Sequence, residues 1–342
     1  MVARRILSDI LNEEDDFEVV ATAPNGLIAL TKIERLAPDL VTLDIDMPEL
    51  DGMATLARIR SEHPDVDVIM VSNLTQRGAR VTVDALFLGA ADYVTKASQS
   101  SSPEVARLHL KGQLVPKIRA LLPRRGAGAA PRRSVKRGSP AHRTASARVR
   151  PVGIVAIGAS TGGPNALADV LRNLPSGFLA PIVIVQHMPK NFTSFLAQRL
   201  DSRCSLTVRE AEHRTKLVRG GVWIAPGDVH IKVQPADSGY QIVTDDGPMV
   251  NSCRPSVDVL FQSVADCYNA ASLAVVLTGM GQDGLHGCRA IAAAGGRIVV
   301  QDQASSVVWG MPGHVAGDGL ADAVLSPSEI GAEIIRRVGF TS

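Results

Sequence analysis

A chain of 342 residues, 45% hydrophobic and 20% charged, has the balance of a water-soluble protein and the length for two domains of ordinary size. Its net charge of +2 hides an asymmetry: residues 124–150 hold nine Lys or Arg and no acid, leaving 36 − 9 = 27 basic against 34 acidic residues elsewhere, about −7, which argues against nucleic-acid binding. Apolar runs such as LAVVLTGM at 273–280 reach only about eight residues, short of the roughly 18 to 20 that a membrane-crossing helix needs.

The first residues, MVARRILSDILNEEDD, turn acidic within a dozen positions and lack a small-residue cleavage pattern, which argues against a secretory signal. They read as a helix. Strand-like runs FEVVATA, DLVTLDI, DVIMVSN and DYVTK then alternate with helical patterns GLIALTKIERL, GMATLARIRSE and VTVDALFLGA, which predicts a parallel sheet with helices on both faces. The stretch RRGAGAAPRRSVKRGSPAHRTASARVR at 124–150 has no hydrophobic periodicity and reads as a solvated tether. As a flexible coil its ends lie about 30 Å apart on average. Strand-like runs resume at 152–157, 182–186, 222–224, 273–278 and 297–301, so a second doubly wound α/β layer is expected, with chemistry beyond the carboxyl ends of its strands. Cys204, Cys253, Cys267 and Cys288 form no C-x-x-C pair, which suggests a reducing cytoplasm and small buried hydrophobes, not a disulfide framework or a zinc site.

The run VGIVAIGASTGGPNA at 152–166 contains Gly158-Ala-Ser160-Thr-Gly162, a G-x-S-x-G pattern whose small residues permit a tight strand-to-helix turn that exposes a serine oxygen. A dinucleotide fingerprint would want Gly where Ser160 stands and an acid at the end of the next strand, which instead ends in Gln186-His187. By itself the pattern serves a structural turn as well as a nucleophile. Serine also needs a base. PIVIVQHMP delivers His187 to a strand's carboxyl end, although a single His there is more often a satisfied polar residue; His213, His230, His286 and His314 fit less well. SLAVVLTGMGQDG brings Asp283 to a third strand end, where an Asp among glycines is ordinarily a turn residue. Together the three match a triad in which Ser160 attacks, His187 relays the proton and Asp283 orients the imidazole. The chain order Ser, His, Asp is not that of the α/β-hydrolases. Glycines around Met280 leave backbone N–H groups for an oxyanion, a contribution of about 3 kcal/mol.

GASTGGP, VQHMP, WIAPGDVHI, RPSVDVLFQSVA, LTGMGQDG and QDQASSVVWGMP together resemble the catalytic domain of the chemotaxis protein-glutamate methylesterases, the CheB family, over nearly all of 152–338. The resemblance implies a Ser160, His187, Asp283 triad, with Thr161 and the Met280 backbone as oxyanion helpers. It further implies hydrolysis of glutamate γ-methyl esters on the cytoplasmic helices of chemoreceptors through an acyl-enzyme on Ser160, often with deamidation of receptor glutamines. No cofactor is needed for that step. In the family a response-regulator receiver precedes this domain, and residues 1–122 resemble one: LVTLDIDMPELDG puts the phosphorylated aspartate at Asp44, MVSN the switch hydroxyl at Ser72, and DYVTK the switch aromatic at Tyr93 with the phosphate-pairing lysine at Lys96. Asp46 and Asp51 read as loop residues. The implied organisation is α/β throughout: a flavodoxin-like receiver over 1–122, a basic linker over 123–150 and a doubly wound, mostly parallel methylesterase domain over 151–342.

One part of the receiver pattern is missing. The opening strand with its two acidic residues, which with the phosphoacceptor hold Mg²⁺, has no counterpart, and Asp15 and Asp16 sit at the far end of the first helix. Asp44 alone remains for the metal, so phosphorylation is expected to be impaired. Of three accounts (a start codon upstream, a shortened chain, a receiver no longer phosphorylated), the first is preferred. In the family the chemotaxis histidine kinase is the phosphodonor and relieves inhibition by the receiver. The competing hypothesis is a phospho-responsive module that binds receptor arrays and carries a vestigial active site; covalent labelling of Ser160 separates the two. Neither reading calls for nucleic acid or membrane insertion.

Overall fold

The structure, a computed structural model, describes residues 2–96, 102–122 and 151–339, and the chain divides into two compact units, Met1–Arg124 and Arg125–Ser342. The predicted linker at 123–150 lies outside the described residues.

The first unit opens with helix α1 (Val2–Asn12), as its pattern predicts, followed by α2 (Gly26–Leu36). Strand β1 (Leu40–Asp44), α3 (Gly52–Glu62), β2 (Asp67–Ser72), α4 (Gln76–Phe87), β3 (Asp92–Thr95) and α5 (Pro103–Leu121) complete it. The strands form a parallel sheet of order β1-β2-β3. Central β2 is buried along nearly its whole length, while edge strand β1 is mostly half-buried. Polar side chains start the helices: Asn25 accepts from Ile28 N–H at 2.9 Å and Asp51 from Ala54 N–H at 2.8 Å, each satisfying an orphan donor of the first turn. Asp51 is thus a cap. FEVVATA, expected as a strand, forms none; Val20 is 49% exposed. A strand exists only through a ladder partner, and the segment has none among the described residues.

The second unit carries a seven-stranded sheet of order β13-β12-β11-β4-β5-β8-β6, every pairing parallel. These strands are β4 (Ile154–Ala159), β5 (Ile182–Gln186), β6 (Thr207–Glu210), β8 (Gly221–Ile224), β11 (Ser272–Val276), β12 (Arg297–Gln301) and β13 (Ala323–Leu325). A small antiparallel sheet, β7 (Thr215–Lys216), β10 (Tyr240–Asp245) and β9 (His230–Pro235), is inserted before α8 (Val257–Tyr268). Winding runs from β4 toward β8, then reverses to β11, so a topological switch point falls between β4 and β11. Alternate residues Ile154, Ala156, Val183, Val185, Ala274, Val276, Ile298 and Val300 face one core with Leu260, Phe261 and Val264 of α8 and with Cys288 and Ile291 of α9 (Leu285–Ala293). Helices α6 (Gly163–Arg172) and α11 (Pro327–Val338) pack on each other and contact β4 and β12. Strands β4, β5 and β11 are buried on both faces, which is why they read as continuous apolar runs. No helix among the described residues is long and apolar enough to cross a membrane.

Candidate active site

Ser160 is the first residue after β4. Its N–H donates to Thr278 O at 3.0 Å, and its carbonyl accepts from Gly163 N–H at 2.7 Å and from the Gln186 amide at 2.9 Å. The positive φ of this turn falls on Gly162, at +76°, where a Cβ would stand 2.6 Å from Val307; Ser160 itself has ordinary φ. The turn therefore differs from a strained nucleophile elbow, because a glycine two residues on takes the left-handed conformation. Gly279 closes against the serine: a Cβ on it would lie 2.7 Å from Ser160 Cβ, so Met280 follows within the same wall. Met280 N–H has no hydrogen-bond partner among the described residues. Thr161 is buried, and its carbonyl accepts from the Thr278 hydroxyl at 2.9 Å.

His187 is the first residue after β5, with its N–H donating to Ala159 O at 3.1 Å. Its Nε2 lies 2.8 Å from Asp283 Oδ2, and its Nδ1 lies 3.7 Å from Cys253 Sγ. Asp283, 2% exposed, sits in the loop after β11 between Gly281 (φ +84°) and Gly284 (φ +96°). Its Oδ1 accepts from Ser256 Oγ (2.8 Å), Asn251 Nδ2 (3.0 Å) and Asp258 N–H (3.2 Å); its Oδ2 accepts from Val257 N–H (2.7 Å) and His187. Two of those donors are the first amides of α8, whose N-terminus favours negative charge. Burial pushes the Asp283 carboxyl up, but His187, Val257 and Asn251 outweigh it and hold the pKa at about 2. An ionised carboxylate only accepts, so Nε2 carries a proton in either charge state, and Nδ1 has its lone pair when the ring is neutral. Burial alone would lower the His187 pKa; Asp283 and the neighbouring Cys253 raise it to about 9.

His187, Cys253 and Asp283 also have ligand atoms within 4.8 Å of one another. They do not suit a metal. Asp283 accepts five hydrogen bonds on about four lone-pair sites, which leaves it nothing for an ion.

The segment before α8 and the first turn of that helix supply four neighbours to which the sequence pattern gives no role: Asn251, Cys253, Ser256 and Asp258. Asn251 bridges Asp283 and Asp258 (2.7 Å), and Asp258 accepts Gly287 N–H of α9 at 2.7 Å. His230 is structural: Nδ1 accepts Ser256 N–H at 3.1 Å and Nε2 donates to Pro248 O at 2.9 Å. The one signal available was Ser-x-Asp ahead of an apolar helix, which marks an N-terminal cap.

In the first unit Asp44 ends β1, and Lys96 Nζ donates to both its oxygens at 2.9 and 2.7 Å. Ser72 is buried, its Oγ accepting from Thr82 Oγ1 at 2.7 Å. Tyr93 is buried with Lys117 Nζ 5.0 Å from its ring centre. Acids near the start of the chain are committed to α5: Lys111 pairs with Glu13 and Glu14, and Arg119 with Glu14 and Asp16. Near Asp44 the Asp46 carboxylate accepts from Asn73 at 3.4 Å. Mg²⁺ wants near-octahedral oxygen coordination, and among the described residues Asp44 offers one carboxylate already paired with a lysine, so these residues do not fit that ion.

Residues 155–334 match the CheB methylesterase family and residues 1–103 the response regulator receiver domain. The protein-glutamate methylesterase/protein-glutamine glutaminase of Trichodesmium erythraeum is 50% identical over 340 residues, covering 99% of this chain and 97% of that one. The protein of the same name from Nocardioides sp. is 46% identical over 348 residues, covering 99% and 93%. The crystal structure of the Thermotoga maritima CheB methylesterase catalytic domain superposes with a TM-score of 0.54 at 42% identity, covering 55% of this chain and 99% of that domain. With a receiver ahead of a parallel α/β unit whose adjacent strands β11, β4 and β5 lead into Asp283, Ser160 and His187, the chain belongs to the CheB family of protein-glutamate methylesterases.

Proposed function

We propose that Ser160, His187 and Asp283 act as a triad that hydrolyses glutamate γ-methyl esters on the cytoplasmic helices of chemoreceptors. The observation that carries this reading is the 2.8 Å contact between His187 and an aspartate kept ionised by five donors, one strand away from Ser160. Ser160 Oγ attacks the ester carbonyl while His187 Nδ1 takes its proton. The Met280 N–H supports the oxyanion, and Thr161, being buried with its carbonyl tied to Thr278, shapes the turn. Collapse breaks the C–O bond, and methanol leaves with the proton from His187. Water then attacks the acyl-serine, restoring Ser160 and freeing the glutamate. A receptor glutamine follows the same path with ammonia as the leaving group. No step requires a cofactor.

In the same reading the protein works in the cytoplasm, Asp44 is the phosphoacceptor for a chemotaxis histidine kinase, Lys96 pairs the phosphoryl group, and Ser72 and Tyr93 form the switch. Domains run over 1–122 and 151–342 with 123–150 as linker. Labelling with a fluorophosphonate tests the active site directly. Modification at Ser160 that disappears in His187→Ala is expected; an unlabelled Ser160 in a folded chain favours the receptor-array binding module.

A further inference from the structure

The four thiols stand in different surroundings. Cys288 is buried, and burial pushes its thiol far up. Cys204 and Cys267, half-buried, donate to Leu206 O (3.4 Å) and Val233 O (3.3 Å), and burial raises both. Cys253 donates likewise to Asn251 O (3.3 Å) but also has a base beside it: its Sγ is 3.7 Å from His187 Nδ1, the nitrogen without a proton when the ring is neutral, and the opposite nitrogen holds Asp283. Thiol, imidazole and carboxylate thus form a continuous chain of the kind that activates a sulfur nucleophile. The thiol is held there. Backbone hydrogen bonds of 3.1 and 2.9 Å join Val250 and Cys253, and Arg254 Nη1 donates to Asp246 O (3.2 Å) and Gly247 O (3.1 Å). Cys253 is partly open to solvent.

We propose that Cys253 is a second nucleophile on the His187–Asp283 base, a site of covalent modification by soft electrophiles and peroxides that switches the esterase off. This rests on His187 serving Ser160, since serine and thiol draw on the same nitrogen. With iodoacetamide the S–C bond forms as C–I breaks, iodide leaves with the electron pair, and the thiol proton passes to His187 Nδ1 and then to water. With hydrogen peroxide the S–O bond forms as O–O breaks; sulfur loses two electrons, peroxide gains them, and hydroxide leaves, taking the proton from His187 to become water. Either adduct stands against Nδ1 and denies it to Ser160.

The full chain is treated with iodoacetamide near neutral pH and each cysteine followed by mass spectrometry; a parallel peroxide sample is trapped with dimedone. Cys253 is expected to react on the order of ten- to a hundredfold faster than Cys204 and Cys267. His187→Gln, which keeps a polar side chain there, brings it down to their rate, whereas Ser160→Ala leaves it fast. Methyl ester hydrolysis falls in step with Cys253 labelling in the wild type and survives the reagent in Cys253→Ala. Reaction of Cys253 no faster than Cys204, indifference to His187→Gln, or full turnover by the alkylated chain overturns the proposal. Labelling rates are read without any ester, so fast, His187-dependent alkylation in a chain that hydrolyses nothing overturns the esterase reading and leaves the thiol assignment standing.

Discussion

In the proposed triad His187 meets two opposing demands: it must be neutral to take a proton from Ser160, yet Asp283 favours its charged form. Its pKa is lifted from 6.5 to about 9, so kcat/KM should rise with pH along a limb whose midpoint lies above 6.5. Asp283→Asn removes the charge that lifts it. The variant should lose about three to four orders of magnitude in kcat, and its midpoint should move back toward 6.5. A wild-type midpoint at or below 6.5 would contradict the assigned geometry. The same shifts fix a stability window. The raised His187 contributes fully below pH 6.5 and loses that contribution as pH rises through about 9, while the lowered Asp283 contributes fully above 3.8 and loses it as pH falls through about 2. The placement of Ser160, His187 and Asp283 beyond strand ends was legible in the sequence because each follows an apolar strand. The neighbours Asn251, Cys253, Ser256 and Asp258 were not, since the first three lie in an aperiodic loop, Asp258 opens α8, and all reach Asp283 or His187 only after the fold brings them together.

At the scale of elements, the β4–α6 turn depends on Gly162. Alanine there would have to hold φ +76° with its Cβ 2.6 Å from Val307. Gly162→Ala should cost roughly 1–3 kcal/mol of stability, read as a lower thermal midpoint, and should depress turnover by misplacing Ser160. Unchanged melting would show that the turn relaxes. The buried parallel strands were legible because burial on both faces makes them uniformly apolar. Three failures have physical causes. FEVVATA has strand chemistry but no ladder partner, β6 reads TVRE with one buried residue, and β9 and β10 belong to a small sheet whose sequences are half polar.

For the whole molecule, the proposed switch requires that a phosphoryl group form on Asp44. Lys96 pairs with that carboxylate, and Glu13, Glu14 and Asp16 are held by Lys111 and Arg119. An acyl-phosphate donor with Mg²⁺ should therefore change turnover of this chain by less than about twofold, in the wild type and in Asp44→Ala alike. A severalfold rise that Asp44→Ala abolishes would show that oxygens other than carboxylates complete the metal site. The order of two α/β units was legible because composition changes sharply at the basic stretch. The claim on which all of this depends is Ser160-dependent ester hydrolysis, and it is tested most directly by methanol release from methylated receptor cytoplasmic fragments. The full chain should release methanol, and Ser160→Ala, folded to the same thermal midpoint, should release none above the uncatalysed rate. Equal release by the two chains, or none from the wild type, would contradict the assignment.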